Sequence, residues 1–78
     1  MIAITVRLEL TFAKFRPRGE KETTIELPEG ATVLTLLQYL GVPYDGQKLI
    51  VKNGKVASLE EDLCHGDVIC ILPVMEGG

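Results

Sequence analysis

The 78-residue sequence has few of the residues from which catalytic and metal sites are usually built. Its two cysteines and single histidine are fewer than the ligands that a structural zinc site needs. It has no glycine-rich phosphate loop, because the candidate glycines fall in separate turns: Gly30, Gly41, Gly46, Gly54 and Gly66. A chain this short also buries only a small core, so a deep pocket would remove much of its stability. These features argue against a self-sufficient enzyme.

The sequence has neither a strong excess of one charge nor a long apolar run. Eight lysines and arginines against eleven aspartates and glutamates give a net charge of −3, which argues against a nucleic-acid-binding module. No apolar run approaches the length of about 18 residues that indicates a membrane-spanning helix, and there is no basic leader. Cys64 and Cys70 could form one disulfide, but without a secretory signal reduced thiols are favoured. We therefore expect a cytoplasmic protein that binds other proteins, with neither nucleic acid nor membrane as a partner.

The first part of the chain has the hydrophobic patterning of two strands. Apolar residues alternate with polar ones over residues 2–12, which predicts a long, half-buried first strand. Residues 13–22 are rich in charge and contain proline and glycine, so they are expected to form a loop that closes a hairpin. The second strand would then turn Thr23, Ile25 and Leu27 inward.

A short helix is predicted next. Apolar residues recur at the spacing of one helical face: Val33, Leu36, Leu37 and Leu40. Thr32 is a candidate N-cap, because its hydroxyl can accept an otherwise unpaired amide of the first turn. Gly41 follows where a left-handed C-cap belongs.

The second half of the chain carries a hairpin signal. Residues 49–51 form a short apolar run, and Asn53-Gly54 is the residue pair that a two-residue hairpin turn favours, since both positions need a positive φ. Residues 55–56 would be the return strand. Leu59 and Leu63 flank an acidic patch of three residues, and residues 59–63 are expected to form a single helical turn.

Residues 68–72 are apolar on both faces, as expected for a central last strand. The first and last strands should lie side by side and parallel, because the intervening helix supplies the crossover that parallel neighbours require. The sequence thus predicts an α+β fold for residues 1–72, a mixed sheet of four to five strands with one main helix packed across it. Residues 73–78 would form a flexible C-terminal tail.

This tail is the segment whose composition points most directly to a function. Pro73 cannot donate to a sheet ladder, so the last strand should stop there, and six extended residues span roughly 20 Å. Gly77 and Gly78 have no Cβ, so a narrow channel on another protein can close around them and reach the terminal carboxylate. By contrast, Cys64 and His65 are merely adjacent in a predicted tight turn, which is a weak signal for catalysis.

Several segments, in their order and spacing, resemble those of a known family. They are Phe12–Arg16, Leu27–Val33, Leu36-Leu37, Leu40-Gly41, Val51–Lys55, His65–Val68, and Pro73-Val74 ahead of Gly77-Gly78. Together they cover essentially the whole chain, although no single one is diagnostic. In these features the sequence resembles the ThiS/MoaD family of ubiquitin-like sulfur carriers, which have the β-grasp fold.

The resemblance implies that Gly78 is the reacting residue, with Gly77 beside it. A terminal carboxylate is ionised at neutral pH and is a poor electrophile, so it must be activated. In this family an adenylyltransferase related to ubiquitin-activating enzymes uses ATP and magnesium to form an acyl adenylate. Sulfur from a persulfide donor then displaces AMP, and the resulting thiocarboxylate passes its sulfur to an acceptor enzyme. The chain itself would bind no cofactor or metal and would be a protein cosubstrate rather than an enzyme.

Two branches of the family differ in the sulfur acceptor. The chain length and Pro73-Val74 resemble the MoaD side, whose members pair with the molybdopterin synthase large subunit and give sulfur to the molybdenum or tungsten cofactor. The ThiS side gives sulfur to the thiazole of thiamine through thiazole synthase. Leu72, in place of a proline, and the Met75-Glu76 spacer depart from the common MoaD ending. A ubiquitin-like protein modifier and a non-sulfur β-grasp binding module stay open as alternatives from another class.

The resemblance and the last strand also supply candidates for contact with partners: Phe12, Ile69, Ile71, Pro73, Val74, Met75 and Glu76. Ile69 and Ile71 lie on the opposite side of the predicted last strand from Val68, Cys70 and Leu72. One interpretation is that these isoleucines form an exposed apolar patch of the kind that partners bury. The other is that the helix covers one set and loops cover the other.

Overall fold

The computed structural model describes residues 1–43 and 48–74, which form a five-stranded sheet with one α-helix across it. In chain order the elements are β1 (Ile2–Leu8), two 3-10 segments (Leu10–Phe15 and Pro17–Gly19), β2 (Glu22–Leu27), α1 (Val33–Leu40), β3 (Lys48–Lys52), β4 (Lys55–Val56) and β5 (Val68–Pro73). The strands lie in the order β2-β1-β5-β3-β4. The predicted α+β architecture is therefore confirmed.

The first and last strands are neighbours and run parallel, as predicted. In their register Val6 lies beside Ile69 and Leu8 beside Ile71. β5 is antiparallel to β3 on its other side, so it is the middle strand of the sheet. This position fixes β5 on both edges, and the chain leaves the sheet from its centre.

One face of the sheet, which we call the inner face, packs against the helix. α1 buries Val33, Leu36 and Leu37 completely, and the strands bury their alternate side chains on the same side. The buried core consists of Ile2, Ile4, Val6, Leu8, Ile25, Leu27, Ala31, Val33, Leu36, Leu37, Val42, Ile50, Leu63, Ile69 and Ile71. Since each large aliphatic side chain contributes about 1.5–3 kcal/mol when fully buried, this layer carries most of the stabilisation.

Both predicted helix caps are confirmed. The Thr32 hydroxyl accepts from the Thr35 amide at 3.4 Å, and the Thr35 hydroxyl accepts from the Thr32 amide at 3.1 Å, which completes a capping box. Gly41 ends the helix in the left-handed conformation, with a φ of 78°. A residue with a Cβ would be strained there, which explains why the sequence stops the helix at glycine.

The Asn53-Gly54 hairpin is confirmed as well. Both residues have positive φ, 51° and 85°, and the flanking Lys52 and Lys55 pair directly. The return strand β4 is only two residues long. The turn residues thus determine where the chain reverses, whereas pairing continues for only one further position, at Val51 and Val56.

The predicted first strand is too long. β1 ends at Leu8, and Leu10 has a φ of 53° and begins a 3-10 segment. The apolar alternation continues past the strand because Phe12 and Phe15 pack against the core from this segment. Alternation alone cannot distinguish a strand from a turn that returns its aromatic rings to the same core.

The prediction of a helical turn over residues 59–63 is confirmed only in part: the Glu61 amide donates to the Ser58 carbonyl at 3.2 Å and closes one turn, but Asp62 then pairs with Thr32 as an isolated β-bridge. This segment runs beside the start of α1, where the carbonyls of Leu59 and Glu61 accept from the Leu34 and Val33 amides at 2.9 and 3.0 Å. The first amides of a helix have no partner within it, and the carbonyls of this neighbouring segment satisfy two of them. Lys52 holds the segment further, since its Nζ lies 2.8 Å from a Glu61 carboxylate oxygen.

Candidate docking surface and tail exit

The tail begins where β5 leaves the sheet. Pro73 is the last residue of β5 and pairs with Lys48, so the missing proline N–H coincides with the end of the ladder, as predicted. Val74 follows and is 45% exposed. The predicted tail residues Met75, Glu76, Gly77 and Gly78 lie outside the described residues. The segment predicted to be a tail therefore follows the middle strand of the sheet.

The prediction that Ile69 and Ile71 form an exposed patch is wrong. Both side chains are completely buried, at 0% exposure, because their neighbours in the register are the inward-facing Val6 and Leu8 of β1. They pack under the helix. The alternative interpretation is confirmed for this side of β5, which packs under the helix, but not for the other side, where Val68 is 42% exposed rather than covered by a loop.

The opposite face of the sheet, which we call the outer face, carries an apolar patch beside the tail exit. β5 contributes Val68, Cys70 and Leu72, which are exposed or half-buried. β3 pairs Leu49 with Leu72 and Val51 with Cys70, and β4 pairs Val56 with Val51. Six neighbouring side chains thus form the outer apolar patch: Leu49, Val51, Val56, Val68, Cys70 and Leu72. Val56 and Val68 are exposed and the other four are half-buried, and a contiguous apolar patch at a surface is a candidate for contact with partners.

The outer apolar patch escaped the sequence reasoning because both sets of residues on β5 are apolar. Val68 and Val56 are 42% and 70% exposed, yet in the sequence they resemble their buried neighbours. The missing information was the side of the sheet on which the helix lies. The β3 pairing would have identified the patch, since Ile50 is buried and its neighbours Leu49 and Val51 are not.

Predicted contact residue Phe12 lies in the 3-10 segment and is half-buried, packed against the core rather than presented outward. Its ring centroid is 6.2 Å from that of Phe15. Leu10 is not among the predicted contact residues, but its side chain is 66% exposed. Its backbone lies in the left-handed region, with a φ of 53°. A bulky residue with positive φ is uncommon and is strained. The amide of the preceding residue, Glu9, donates to the Ile71 carbonyl of β5 at 3.0 Å. Leu10 therefore lies close to the end of β5, where the predicted tail begins.

Arg16 fixes this 3-10 segment. Its Nε donates to the Leu8 carbonyl at 2.7 Å, and its Nη2 lies 3.8 Å from a Glu9 carboxylate oxygen. The guanidinium thereby joins the end of the segment to the end of β1. Leu10 and Phe12 are positioned by this closure.

A hydrogen-bonded cluster holds the start of β5. The Asp67 carboxylate is 8% exposed and accepts from the Cys64 amide at 2.7 Å and from Asn53 Nδ2 at 2.9 Å. Asn53 Oδ1 in turn accepts from the Val68 amide at 2.8 Å. Burial would raise the pKa of Asp67, but the two hydrogen bonds and the Lys52 charge together hold that pKa below its ordinary value. Asn53 therefore serves both the hairpin turn and the anchoring of β5.

The two cysteines and the histidine lie in different surroundings. Cys64 is exposed, Cys70 is half-buried in the outer apolar patch, and both are free. Burial raises the pKa of the Cys70 thiol, and the Glu9 carboxylate raises it further, against a smaller opposing effect of Arg7. His65 Nδ1 accepts from the Ala3 amide at 3.0 Å, on the side of β1 where pairing with β5 begins two residues later, at Thr5.

Two classes of site are not found in the described part of the chain. Residues 1–43 and 48–74 contain no group of three metal-ligating side chains that could hold an ion. Within the same ranges no helix is long and apolar enough to cross a membrane.

The chain is similar to known proteins in both sequence and structure. Residues 10–78 match the model of the ThiS family. The putative molybdopterin converting factor subunit 1 of Pyrococcus furiosus has a similar structure, with a TM-score of 0.79 and 28% identity over 96% of this chain and 100% of that chain. The small archaeal modifier protein 1 of Haloferax volcanii has a TM-score of 0.80 at 18% identity, over 96% of this chain and 100% of that chain. A search of curated protein sequences returns no match.

These structural matches identify the fold as the ubiquitin-like β-grasp that the resemblance implied. The family model covers most of the chain, including the start of the 3-10 segment, the helix and the last strand. Small carriers of this kind are generally non-catalytic. The chain therefore belongs to the ThiS family, whose ubiquitin-like members are sulfur carriers or protein modifiers.

Proposed function

We propose that this chain is a sulfur carrier whose Gly78 carboxylate is converted to a thiocarboxylate that supplies the sulfur of molybdopterin. The observation that favours this acceptor is the similarity, over nearly the full length of both chains, to the putative molybdopterin converting factor subunit 1. Thiamine thiazole is the alternative acceptor. Conjugation to other proteins and a binding role without sulfur chemistry are the alternatives from another class.

The reaction would take place on partner enzymes. An adenylyltransferase joins the Gly78 carboxylate to the AMP part of ATP and releases pyrophosphate, with magnesium neutralising the phosphate charges. A persulfide sulfur then attacks the acyl carbon, AMP leaves, and a thiol reductant cleaves the resulting acyl disulfide to give the thiocarboxylate. The released AMP is a far better leaving group than the carboxylate oxygen, which explains the need for activation.

The chain's own contribution is presentation. The outer apolar patch includes residues of β5, the strand that leads into the tail. A partner that buries Leu72 and its neighbours is therefore within reach of the reacting end. Five residues follow the end of β5 at Pro73, and fully extended they reach at most about 18 Å from the sheet. A partner's active site must therefore lie close to its docking surface for this chain.

Intact-mass measurement tests the proposal directly. The purified chain is incubated with ATP, magnesium, the adenylyltransferase and a persulfide donor, and its mass is measured. A gain of one sulfur in place of one oxygen at Gly78 is the expected result. Protein adducts through lysine would favour the modifier, and an unchanged mass in all reactions would contradict both.

A shortened chain provides the control. Deletion of Gly78 leaves residues 1–74 intact, so we expect the same unfolding midpoint as for the parent chain and no sulfur incorporation. Sulfur incorporation by the shortened chain would contradict the proposed site. To separate the two acceptors, the thiocarboxylated chain is offered to a molybdopterin synthase large subunit and, in parallel, to a thiazole synthase; sulfur transfer to the first is expected.

A further inference from the structure

Neither the backbone nor the core of this chain accounts for a leucine at position 10. The φ of Leu10 is positive, at 53°, a conformation in which glycine fits without strain and asparagine with less strain than leucine. The Leu10 side chain is 66% exposed, whereas Phe12 and Phe15 of the same 3-10 segment pack against the core. Strained residues persist where the surrounding structure fixes them, and they concentrate at functional sites. The residue type at position 10 therefore points to a contact outside this chain.

Three hydrogen bonds hold the backbone around Leu10. The Glu9 amide donates to the Ile71 carbonyl of β5 at 3.0 Å, and the Phe12 amide donates to the Glu9 carbonyl at 3.0 Å across Leu10. The Arg16 Nε donates to the carbonyl of the last residue of β1 at 2.7 Å and so closes the 3-10 segment behind it. The exposed side chain is therefore presented from a backbone that is fixed on both sides.

Leu10 lies beside the point where the chain leaves the sheet. The amide before it is bonded to Ile71, and β5 ends two residues later, at Pro73. On the opposite edge of β5, Leu49 pairs with Leu72. Leu10 on the β1 side and Leu49 on the β3 side therefore flank the end of β5, and Leu49 already belongs to the outer apolar patch.

The short chain that follows β5 identifies the protein that meets Leu10. Five residues follow Pro73, and fully extended they reach at most about 18 Å. An enzyme that reacts with the Gly78 carboxylate must therefore place its active site within this distance of the end of β5. The surface of that enzyme then faces the residues that flank β5 at its end, and an exposed leucine there gains from being buried against it.

We infer, resting on the proposed reaction of Gly78, that Leu10 is a docking residue for the adenylyltransferase, whose surface offers an apolar recess for this side chain beside the bound tail. Arg16 acts as a positioning residue, because it closes the segment that presents Leu10. The contact lies on the β1 side of β5 and is separate from the outer apolar patch, which extends toward β3 and β4. The enzyme thus holds the chain on both sides of the strand that leads to the reacting end.

Isothermal titration calorimetry tests the inference on the full chain, with a ubiquitin-activating-type adenylyltransferase from the same organism as the probe. Leu10→Asn replaces the leucine by a polar residue of the same branched shape that tolerates a positive φ. We expect an affinity at least about fivefold lower, because the apolar contact is lost, and an unfolding midpoint equal to or above that of the parent chain. Leu10→Met keeps an apolar side chain and should bind within about twofold of the parent chain.

Two further variants locate the effect. Tyr39→Asn also replaces an exposed side chain by asparagine, at a residue of α1 that is 62% exposed, and should leave the affinity unchanged. Arg16→Ala removes the hydrogen bond that closes the 3-10 segment and should weaken binding of the parent chain. It should add little to the loss in Leu10→Asn, because the two residues act through the same contact, whereas a merely structural role of Arg16 would give additive losses.

The outcomes separate this inference from the proposed function. Equal affinity of the parent chain and Leu10→Asn, or an equal loss for Tyr39→Asn, would overturn the contact even where the parent chain gains sulfur in the intact-mass measurement. Weaker binding by Leu10→Asn together with no sulfur gain by the parent chain would support the contact and contradict the proposed function. No measurable binding by the parent chain would overturn the contact.

Discussion

The inner and outer faces of the sheet are built from the same strands and yet differ in what their apolar residues do. On β5, Ile69 and Ile71 are completely buried beneath the helix, while Val68 and Leu72 keep part of their surface in solvent. The inner residues contribute to stability through burial and packing, which the outer ones do to a smaller extent. Because the apolar patch on the exposed side adds less to stability, it is the surface that we propose for docking of partners.

The largest expected effect comes from the inner face. Ile71→Ala removes a completely buried side chain from the middle strand and leaves a cavity, so the free energy of unfolding should fall by about 2–5 kcal/mol. For a domain of this size that is a large fraction of the total. Urea denaturation measures it. A loss below about 1 kcal/mol would mean that the inner face is not the main source of stability.

The second effect concerns the cluster that joins the hairpin to β5. Asp67→Asn replaces the buried carboxylate by an amide that accepts more weakly from Cys64 and Asn53, so stability at neutral pH should fall by about 1–3 kcal/mol. Circular dichroism during thermal unfolding measures it. Asn53→Ala removes the other member of the same hydrogen-bond pair and should destabilise the chain further, because Asn53 also accepts from the Val68 amide and holds a positive φ in the hairpin turn.

The pH dependence of that effect has a definite sign. The folded pKa of Asp67 lies below its unfolded value, so its contribution to stability is present above the unfolded pKa, near 4, and is lost as the pH falls through the folded value. The difference between the parent chain and Asp67→Asn should therefore shrink as the pH is lowered below about 4. A difference that stays constant down to pH 2 would contradict the proposed role of the charge.

The smallest expected effect comes from the outer face. Val56→Ala changes a side chain that is 70% exposed, so the unfolding free energy should change by no more than about 0.5 kcal/mol. The same variant should nevertheless weaken binding to the adenylyltransferase, which isothermal titration calorimetry measures. A loss of stability comparable to that of Ile71→Ala would remove the distinction between the two faces.

Local signals in the sequence were sufficient for much of the fold. Thr32 and Gly41 bounded the helix, and Asn53-Gly54 located the hairpin, because caps and turns depend on residues only a few positions apart. The parallel pairing of the first and last strands followed from the crossover helix. The length of β1 could not be predicted, since the change of direction at Leu10 depends on Arg16 binding back to the Leu8 carbonyl.

The candidate site was less accessible from sequence. The assignment of Ile69 and Ile71 to an exposed patch failed because β5 is apolar on both sides, and only its register with β1 decides which side the helix covers. The role of Asp67 was equally hidden, since its partner Asn53 lies in a different turn and reaches it only in the folded sheet. The glycines of the tail are legible in the sequence, and their proposed chemistry awaits measurement.

We propose that partners hold this chain by the outer apolar patch while the Gly78 carboxylate reacts. The most direct measurement is the rate of sulfur incorporation, by intact mass, for Leu72→Asp and for Gln38→Asp, which adds the same charge on the exposed side of the helix. We predict a rate at least about tenfold lower for Leu72→Asp, a loss equivalent to about 1.4 kcal/mol, and no change for Gln38→Asp. Equal rates for the two variants, with both folded, would contradict the account.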